Sequence, residues 1–403
     1  MKKYLLIMIF ITSSLFADKE LPWLSVNNTH IQDSTGKRVI LRGVNLGSWL
    51  VPEMWMLPIK THSSKAPELG KIKDHTSLWG HFEKRFGKDK MQEIRYEFRK
   101  AWITEKDFER IRKMGFNCVR VPFLYDLLDE PEGFFWLDFA INAAKKQGLY
   151  VIIDLHGAIG RQSANDHTGH SEQDRFFKEP DFWEKTAKLW ARVAMRYKDC
   201  PEVAGYDLLN EPQGAPSNKL LYKVQDKLYR RIRRIDTRHL IFIEDGFKSI
   251  KFMPHKNDYG WKNAVLSTHM YCHESHSKGG VAGFFDRKIQ EASREYKSHK
   301  LPYFMGEFNV KPYGKLEDMK KTLSHMNQNR IAYCLWSYKI APRSGGYSLW
   351  GLYVGGKGVS TIDPFSDSYK DILKKMSRLT TERFTKNELL VELFTHALAE
   401  TDT

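Results

Sequence analysis

Cysteine is scarce in this sequence. Four cysteines, Cys118, Cys200, Cys272 and Cys334, occur among 403 residues, which excludes the small scaffolds that disulfides hold together. We also expect no disulfide. Cys118 and Cys334 fall in predicted strands on either side of a third strand, so about 9.5 Å separates them, which is more than a disulfide spans. Cys200 and Cys272 fall at opposite ends of the predicted sheet.

Long apolar runs are lacking beyond the N-terminus. The first residues, MKKYLLIMIFITSSLFADKE, combine two lysines, an apolar stretch and small residues that end at Ala17, which is the pattern of a secretory signal peptide. We assign residues 1–17 to this peptide. No later stretch is long and apolar enough for a membrane helix. We therefore expect a secreted or periplasmic protein without membrane insertion.

Acidic residues are fewer than basic residues. The sequence has 49 aspartates and glutamates and 64 lysines and arginines, which give a formal net charge of +15. The basic residues are dispersed through predicted helices such as KLYRRIRRID, which is typical of solvated helix faces. Weak attraction to anionic polymers is the alternative. No recognition motif for nucleic acid accompanies the charge. We expect a monomer with no nucleic-acid partner.

The sequence does contain a repeated order of helix, glycine and apolar strand. ITEKDFERIRKMG leads into FNCVRVPF, and LDFAINAAKKQG leads into LYVIIDLHG. Gly115 and Gly148 stand where the end of a helix favours a left-handed residue. The apolar segments that we interpret as strands are residues 38–47, 117–123, 150–157, 203–212, 239–246, 264–271, 301–309 and 331–339.

Eight apolar strands that alternate with helices predict an α/β protein with a parallel sheet, and over this length they favour a closed (β/α)8 TIM barrel. We expect a single barrel domain at residues 18–378, with a long insertion at 48–102 between strands one and two. A helical tail follows at 379–403, and its amphipathic pattern favours packing against the barrel.

Polar and aromatic residues stand at the carboxyl ends of these strands, the face where a barrel of this kind carries its active site. Strand four ends in Asn210 and Glu211. The other strand ends supply Asn45, Arg120, His156, His269, Tyr271, Glu307 and Trp336. Each has a plainer interpretation, such as a turn, a buried ion pair, a core histidine or simple packing. Their joint occurrence on one face favours a functional site.

Two of these residues, Glu211 and Glu307, are carboxylates that barrel closure can bring to opposite sides of one pocket. Paired carboxylates that flank a cleft cleave glycosidic bonds, one as the general acid and the other as nucleophile or base. Aromatic side chains at the strand ends and in the insertion suit the apolar face of a sugar ring.

The segments RGVNLGSWL, NCVRVPF, IDLHGAIG, LLNEPQG, HMY, MGEF and LWSYK resemble, in order and spacing, those of glycoside hydrolase family 5. The resemblance covers residues 39–365. It implies that Glu211 is the acid/base and Glu307 the nucleophile of a retaining β-glycosidase that uses no metal or organic cofactor.

The resemblance also implies a set of substrate-binding residues. They are Arg120, His156, Asn210, His269, Tyr271 and Trp336. Of these, Arg120 and Tyr271 would hydrogen-bond Glu307 and keep it ionised. Because Glu211 must start protonated, we expect its pKa to be raised in the free enzyme.

Within the family, RGVNLGSWLVPE and GYSLWGLY resemble the exo-β-1,3-glucanase branch most, which makes a β-glucan the expected substrate. The segment CHESHSKGG after strand six is less aromatic than in that branch, so β-1,4-glucan, mannan and glycolipid sugars stay open. A glucan-remodelling transglycosylase would use the same residues, and a non-catalytic carbohydrate-binding protein could share the scaffold. We expect no metal at His269, Cys272, His273 and His276, because their spacing matches no known ligand set.

Overall fold

The computed structural model describes residues 20–273, 278–341 and 349–400. The segment assigned as a signal peptide, residue His276 and part of GYSLWGLY lie outside these ranges. The strands are β1 (Leu24–Asn27), β2 (His30–Asp33), β3 (Arg38–Val39), β4 (Arg42–Asn45), β5 (Cys118–Leu124), β6 (Tyr150–Gly157), β7 (Val203–Asp207), β8 (Leu240–Glu244), β9 (Ala264–Tyr271), β10 (Tyr303–Asn309), β11 (Ala332–Leu335), β12 (Lys339–Ile340), β13 (Tyr353–Val354) and β14 (Thr385–Lys386).

Eight of these strands, β4 to β11, form a closed parallel barrel in chain order, and β11 pairs with β4 to complete it. The helices are α1 (His75–Phe86), α2 (Lys88–Trp102), α3 (Glu105–Lys113), α4 (Phe135–Gln147), α5 (Pro180–Tyr197), α6 (Asn218–Arg233), α7 (Gly280–His299), α8 (Leu316–Gln328), α9 (Tyr369–Met376) and α10 (Glu388–Ala399). The predicted (β/α)8 barrel is confirmed. In the described ranges, no helix is long and apolar enough to cross a membrane.

The first predicted strand is divided in two. The sequence predicts one strand over 38–47, but β3 pairs antiparallel with β2, and β4 alone enters the barrel. Asn117 fixes the bend between them, since its side chain accepts from the Arg42 N–H and donates to the Ile40 carbonyl, both at 2.8 Å. In the β1–β2–β3 sheet, Leu24 and Ile31 pack on the apolar layer at the amino end of the barrel.

The insertion between β4 and β5 carries α1 and α2, and its tryptophans serve different purposes. Trp49 is completely buried and donates its indole N–H to the Arg99 carbonyl at 2.8 Å. Trp79 is also buried and packs against Phe98. Trp55 reaches the pocket described below. The expectation that the aromatic residues of the insertion face a sugar therefore fails for Trp49 and Trp79, which are core residues.

A buried lysine just after the last barrel strand contacts the C-terminal region. Lys339, in β12, donates its ammonium to the Leu379 carbonyl at 2.9 Å and to the Thr381 hydroxyl at 3.1 Å. The same ammonium lies 4.7 Å from the ring centres of Trp102 and Phe384. Burial lowers the pKa of Lys339 to about 7. Strand β13 then pairs with both β12 and β14 and joins the two regions.

Helix α10 packs on the outer face of the barrel. Phe394 lies with its ring centre 5.6 Å from that of Phe116, which precedes β5. The Asn327 side chain at the end of α8 donates to the Ala397 carbonyl at 2.7 Å. Leu398 lies directly over Gly115. The segment from 379 onward thus shares its contacts with the barrel helices.

Inside the barrel, Gly43 separates two thiols. Cys118 of β5 and Cys334 of β11 lie in register on either side of Gly43 in β4, so two strand spacings separate their backbones. A Cβ atom on Gly43 would lie 2.5 Å from the Cys118 sulfur and 2.7 Å from the Cys334 sulfur. Glycine is therefore required here because both thiols occupy the space over its Cα.

Replacing Gly43 by Ala should lower the free energy of unfolding by about 1–3 kcal/mol, because the new methyl group overpacks the barrel interior. Urea unfolding followed by circular dichroism measures this change. Gly80→Ala is the matched control, since Gly80 lies on the exposed face of α1 with nothing within 4 Å of an added Cβ. That variant should gain up to about 1 kcal/mol from helix propensity. Equal stability of the two variants would contradict the packing described here.

Candidate active site

A pocket of about 290 Å³ opens at the carboxyl ends of the barrel strands. This volume is close to the lower end of small-molecule sites, which span roughly 300–1,000 Å³. Its lining comprises Glu53, Trp55, His156, Asn165, Asp166, His167, Asn210, Glu211, Gln213, Phe247, Tyr271, His273, Glu307, Trp336 and Trp350. Of the predicted site residues, Arg120 and His269 are absent from this lining, because both lie behind the two glutamates.

Arg120, at the centre of β5, is completely buried beneath the pocket. Its guanidinium contacts carboxylates from four other strands. These are Glu307 at 2.8 Å, Asp207 at 2.9 Å, Asp154 at 3.0 Å and Glu244 at 3.3 Å. It also donates to the side-chain oxygens of Asn45 and Asn210. A buried cation is tolerated when it is paired and hydrogen-bonded in this way.

The four carboxyl groups around Arg120 differ in how readily they ionise. Burial raises the pKa of Asp154 well above its usual range, that of Asp207 to about 6 and that of Glu244 to about 7. These three groups therefore retain protons at pH values where an exposed carboxyl group is ionised.

Glu307 is held as a carboxylate. Burial would raise its pKa, but the charges of His269 and Arg120 outweigh burial and, with a 2.7 Å hydrogen bond from Tyr271, lower it to about 2. The pairing of β10 with β9 changes register between Met305 and Glu307, and this irregularity sets the direction in which the Glu307 side chain points. The residue at this irregularity, Gly306, must lack a side chain, because a Cβ there would lie 2.8 Å from His269 Nε2.

Glu211 follows β7 with a positive φ of 41°, a conformation that costs free energy for a residue with a side chain. Glu244 stabilises this turn by accepting from the Glu211 backbone N–H at 2.7 Å. The carboxyl group of Glu211 lies 2.9 Å from His269 Nδ1 and 3.4 Å from His167 Nδ1. His269 Nε2 in turn lies 3.1 Å from Glu244, so one carboxyl group supports both Glu211 and His269.

The expected raised pKa of Glu211 is wrong. Burial does act in that direction, but the charge of His167 and the hydrogen bond and charge of His269 more than offset burial. The pKa of Glu211 is therefore lowered in the free protein. The contribution of His167 could not be anticipated from the sequence, because this residue reaches Glu211 from the loop after β6.

The two glutamates approach each other closely. One carboxylate oxygen of each, together with a ring nitrogen of His269, lie within 4.8 Å of one another. Retaining glycosidases hold their carboxyl groups about 5–5.5 Å apart, and inverting enzymes hold them about 6.5–9.5 Å apart. The same three residues form the one cluster in the described ranges that is compact enough for a metal ion. A metal there would have to displace the hydrogen bond between His269 and Glu211.

Three further predicted residues line the pocket with free surfaces. Asn210 uses its oxygen for Arg120, and its Nδ2 has no hydrogen-bond partner in the described ranges. His156 is oriented by Asp154 at 2.6 Å, and burial lowers its pKa to about 3, so the imidazole is neutral. Its ring stacks on Trp336 with 5.7 Å between centres. A donor, a neutral imidazole and an indole are thus available to a polyhydroxylated ring.

The sequence did not point to Glu53, which enters the pocket from the loop after β4. Its side chain accepts from the Trp55 indole at 2.8 Å, and burial raises its pKa well above the usual range. In the described ranges its other oxygen is buried without a hydrogen-bond partner. The available signal was an acidic residue within the apolar stretch LVPEMWM. Trp350 packs against Trp55 at 5.0 Å and extends the aromatic wall.

Comparisons with known proteins agree on one family. The model of the cellulase family, glycosyl hydrolase family 5, matches residues 55–342. A β-xylosidase of Phanerodontia chrysosporium is 27% identical over 89% of this chain and 78% of its own length. A sporulation-specific glucan 1,3-β-glucosidase of Saccharomyces cerevisiae is 29% identical over 64% of this chain and 60% of its own length.

A solved structure supports the fold. The rutinosidase of Aspergillus niger superposes with a TM-score of 0.62 and 19% identity, over 77% of this chain and 92% of that enzyme. At this identity the likeness concerns the fold alone.

Replacing His167 by Gln should raise the pKa of Glu211, because it removes the largest interaction that lowers this pKa, from a ring nitrogen 3.4 Å from the carboxyl group. An acid works in its protonated form, which is lost as the pH rises through its pKa. The alkaline limb of kcat/KM for a β-glycoside should therefore move to higher pH. His273→Gln is the control, since His273 lines the pocket near Tyr271. An unchanged alkaline limb in the His167 variant would contradict the assignment.

Proposed function

Because this chain belongs to glycosyl hydrolase family 5 and is therefore a hydrolase of β-glycosidic bonds, we propose that it acts by a retaining double displacement with Glu307 as nucleophile and Glu211 as acid/base. The observation that carries this proposal is the close approach of two unlike carboxyl groups. Glu307 is held ionised by Arg120 and Tyr271, while Glu211 is hydrogen-bonded to His269, and their oxygens lie within 4.8 Å of each other and of His269.

In the first step, a carboxylate oxygen of Glu307 attacks the anomeric carbon. The bond between that carbon and the leaving oxygen breaks, and Glu211 transfers a proton to the leaving oxygen. Because the pKa of Glu211 is lowered, only the fraction of the enzyme that holds Glu211 protonated reacts in this way. The negative charge on Glu307 is consumed in the new ester bond. Because the charge of Glu307 acts to raise the pKa of Glu211, its loss in the ester lowers that pKa and prepares Glu211 to act as a base in the second step.

In the second step, Glu211 acts as a base and takes a proton from water. The water oxygen attacks the anomeric carbon, the ester bond to Glu307 breaks, and the sugar leaves with its original β-configuration. Asn210 Nδ2 is available to the hydroxyl next to the anomeric carbon, and Trp336 offers a stacking surface for the ring. A sugar acceptor in place of water would give the transglycosylase reaction.

We infer that the substrate is a β-1,3-glucan or its oligosaccharides, attacked from an end. The glucan 1,3-β-glucosidase among the relatives supports the linkage. The small pocket, with Glu53 and the Trp55–Trp350 pair on its wall, supports binding of a terminal sugar. A β-xyloside is the second candidate, because the β-xylosidase relative aligns with the larger share of this chain. Glucose carries a hydroxymethyl group that xylose lacks, and the unpaired oxygen of Glu53 favours the sugar with more hydroxyl groups.

We also propose that residues 1–17 direct export, so that the enzyme meets its polysaccharide outside the cytoplasm. The pattern of two lysines, an apolar stretch and small residues supports this proposal. Cleavage after Ala17 would leave Trp23 and the β1–β2 hairpin in the mature enzyme.

The two roles predict opposite products in azide rescue. Glu307→Ala should lose ordinary turnover, but with an activated β-glycoside and azide it should form the α-glycosyl azide. Glu211→Ala should still form the covalent intermediate from a substrate with a very good leaving group, and azide should then give the β-product. Proton NMR of the anomeric centre distinguishes the two products.

Glu317→Ala is the control for both variants, since the Glu317 side chain is 65% exposed on α8. It should keep wild-type turnover and form no glycosyl azide beyond the wild-type level. Initial release of the α-anomer by the wild-type enzyme would overturn the retaining assignment, and exchanged azide products would overturn the two roles.

A substrate panel tests the proposed specificity. Laminaribiose should be hydrolysed severalfold faster than cellobiose, and an aryl β-glucoside faster than the matching β-xyloside. Glu53→Ala should lower kcat/KM for the glucoside by about tenfold to a hundredfold, as expected when a hydrogen bond to a charged or buried group worth about 1.5–3 kcal/mol is lost. The xyloside should be affected less. A faster reaction with the xyloside or with cellobiose would reject the glucan proposal and leave the mechanism in place.

A further inference from the structure

A second cavity, of about 200 Å³, adjoins the active-site pocket, and we name it the side cavity. Its lining comprises Asp245, Phe247, Ser249, Ile250, Thr268, His269, Met270, Tyr271, His273, Phe284, Lys288, Glu291, Ala292 and Tyr303. Phe247, Tyr271 and His273 line both spaces, so the two are separated by one layer of side chains. Of the residues that line the side cavity alone, the mechanism above uses only His269.

The order of the barrel strands places the side cavity toward the leaving group. In the proposed function, Trp336, Glu53 and His156 face the cleaved sugar. Trp336 and Glu53 follow β11 and β4, and His156 lies at the carboxyl end of β6. In a closed barrel of eight strands, β8 lies opposite β4. Phe247 follows β8, and the side cavity is bounded by this loop, by β9 and by α7. A group that leaves from the anomeric carbon, away from the bound sugar, therefore departs in this direction.

The position of His269 supports this direction. His269 lines the side cavity and also holds the Glu211 carboxyl group, at 2.9 Å. Glu211 must transfer its proton to the oxygen that joins the sugar to its leaving group. The leaving group therefore lies close to Glu211, and the side cavity begins on the other side of His269.

The chemistry of the side cavity favours an apolar occupant. Most of its polar side chains are already paired. Thr268 pairs with Tyr303 at 2.6 Å, Glu291 with Lys288 at 3.0 Å and with Ser249 at 3.4 Å, and Asp245 with the Phe247 backbone N–H at 3.0 Å. The surfaces that remain are those of Phe247, Ile250, Met270, Phe284 and Ala292. A sugar would lose hydrogen bonds to water here without replacing them, whereas an alkyl chain or aromatic ring would not.

Phe247 is the side chain that can join the two spaces. It is 45% exposed, has a positive φ of 62°, and lies with its ring 6.5 Å from that of His269. Phe247 therefore lies half-exposed at the boundary of the two spaces.

We propose that the side cavity binds an apolar aglycone, so that the enzyme cleaves β-glucosides of alkyl or aryl alcohols as well as glucan. The proposal rests on the proposed glucosidase activity and names the leaving group that this site accepts. No new chemistry is involved, because the alcohol leaves with the proton of Glu211 as a glucan chain would.

A series of n-alkyl β-glucosides, from methyl to octyl, tests the proposal with the wild-type enzyme below the concentration at which micelles form. The alcohols from ethanol to octanol have nearly equal acidity, so changes in rate along the series report binding of the chain. We expect kcat/KM to rise by about threefold for each added methylene until the cavity is filled, close to the effect of burying one such group. Laminaribiose, measured in parallel, reports the proposed function alone.

Two variants locate the effect. Phe284→Ala removes a wall of the side cavity, and Ala292→Leu fills part of it, so each should lower the ratio of octyl to methyl kcat/KM at least fivefold. Phe252→Ala is the matched control. Phe252 lies on the loop after β8, as Phe247 does, but it is 61% exposed and is not part of the lining. It should leave the ratio unchanged.

The outcomes separate the two proposals. Hydrolysis of laminaribiose without any dependence on chain length would overturn the aglycone proposal and leave the glucosidase standing. No hydrolysis of laminaribiose or of any alkyl glucoside would overturn both. If the wild-type series rises as expected but both variants keep the wild-type ratio, the chain binds elsewhere and the assignment to the side cavity is wrong.

Discussion

The guanidinium of Arg120 is the group on which the rest of the site depends. It is buried at the centre of the barrel and contacts carboxyl groups from β6, β7, β8 and β10. Without this cation, four acidic side chains within one pocket floor would repel one another and draw in water. Without the carboxyl groups, the cation would be an uncompensated buried charge. Closing the barrel and assembling the site are therefore one event, since the ion cluster is complete only when strands from across the chain have paired.

This cluster also gives two chemically identical side chains, Glu307 and Glu211, different surroundings. The charges of His269 and Arg120 and a hydrogen bond from Tyr271 lower the pKa of Glu307 to about 2. Glu211 exchanges hydrogen bonds with His269, which Glu244 supports from behind. Charge is thus fixed on one side of the pocket, and a proton can be held or released on the other. Part of this difference originates below the pocket, in Arg120, His269 and Glu244, and part in His167 and Tyr271 on its wall.

The sequence predicted the barrel and most of the site because both depend on strands. Apolar strands with polar ends have a recognisable pattern, and parallel packing brings all these ends to one face. Residues that arrive from loops had no such pattern, and His167 and Phe247 were missed for this reason. The error in the pKa of Glu211 has the same origin. The division of the first strand was missed because Asn117, 75 residues away in the chain, fixes the bend at Arg42.

The buried ammonium of Lys339 has a consequence for how the chain reaches its final state. Its partners, Leu379 and Thr381, lie 40 and 42 residues further along the chain. During synthesis, the last barrel strand emerges well before the oxygens that its flanking lysine requires. The strands that close the barrel are complete before these oxygens are made, so the final packing around Lys339 is completed only when residues 379–381 are available. Until then the Lys339 ammonium has neither of its two buried acceptors, and burying it without them costs free energy.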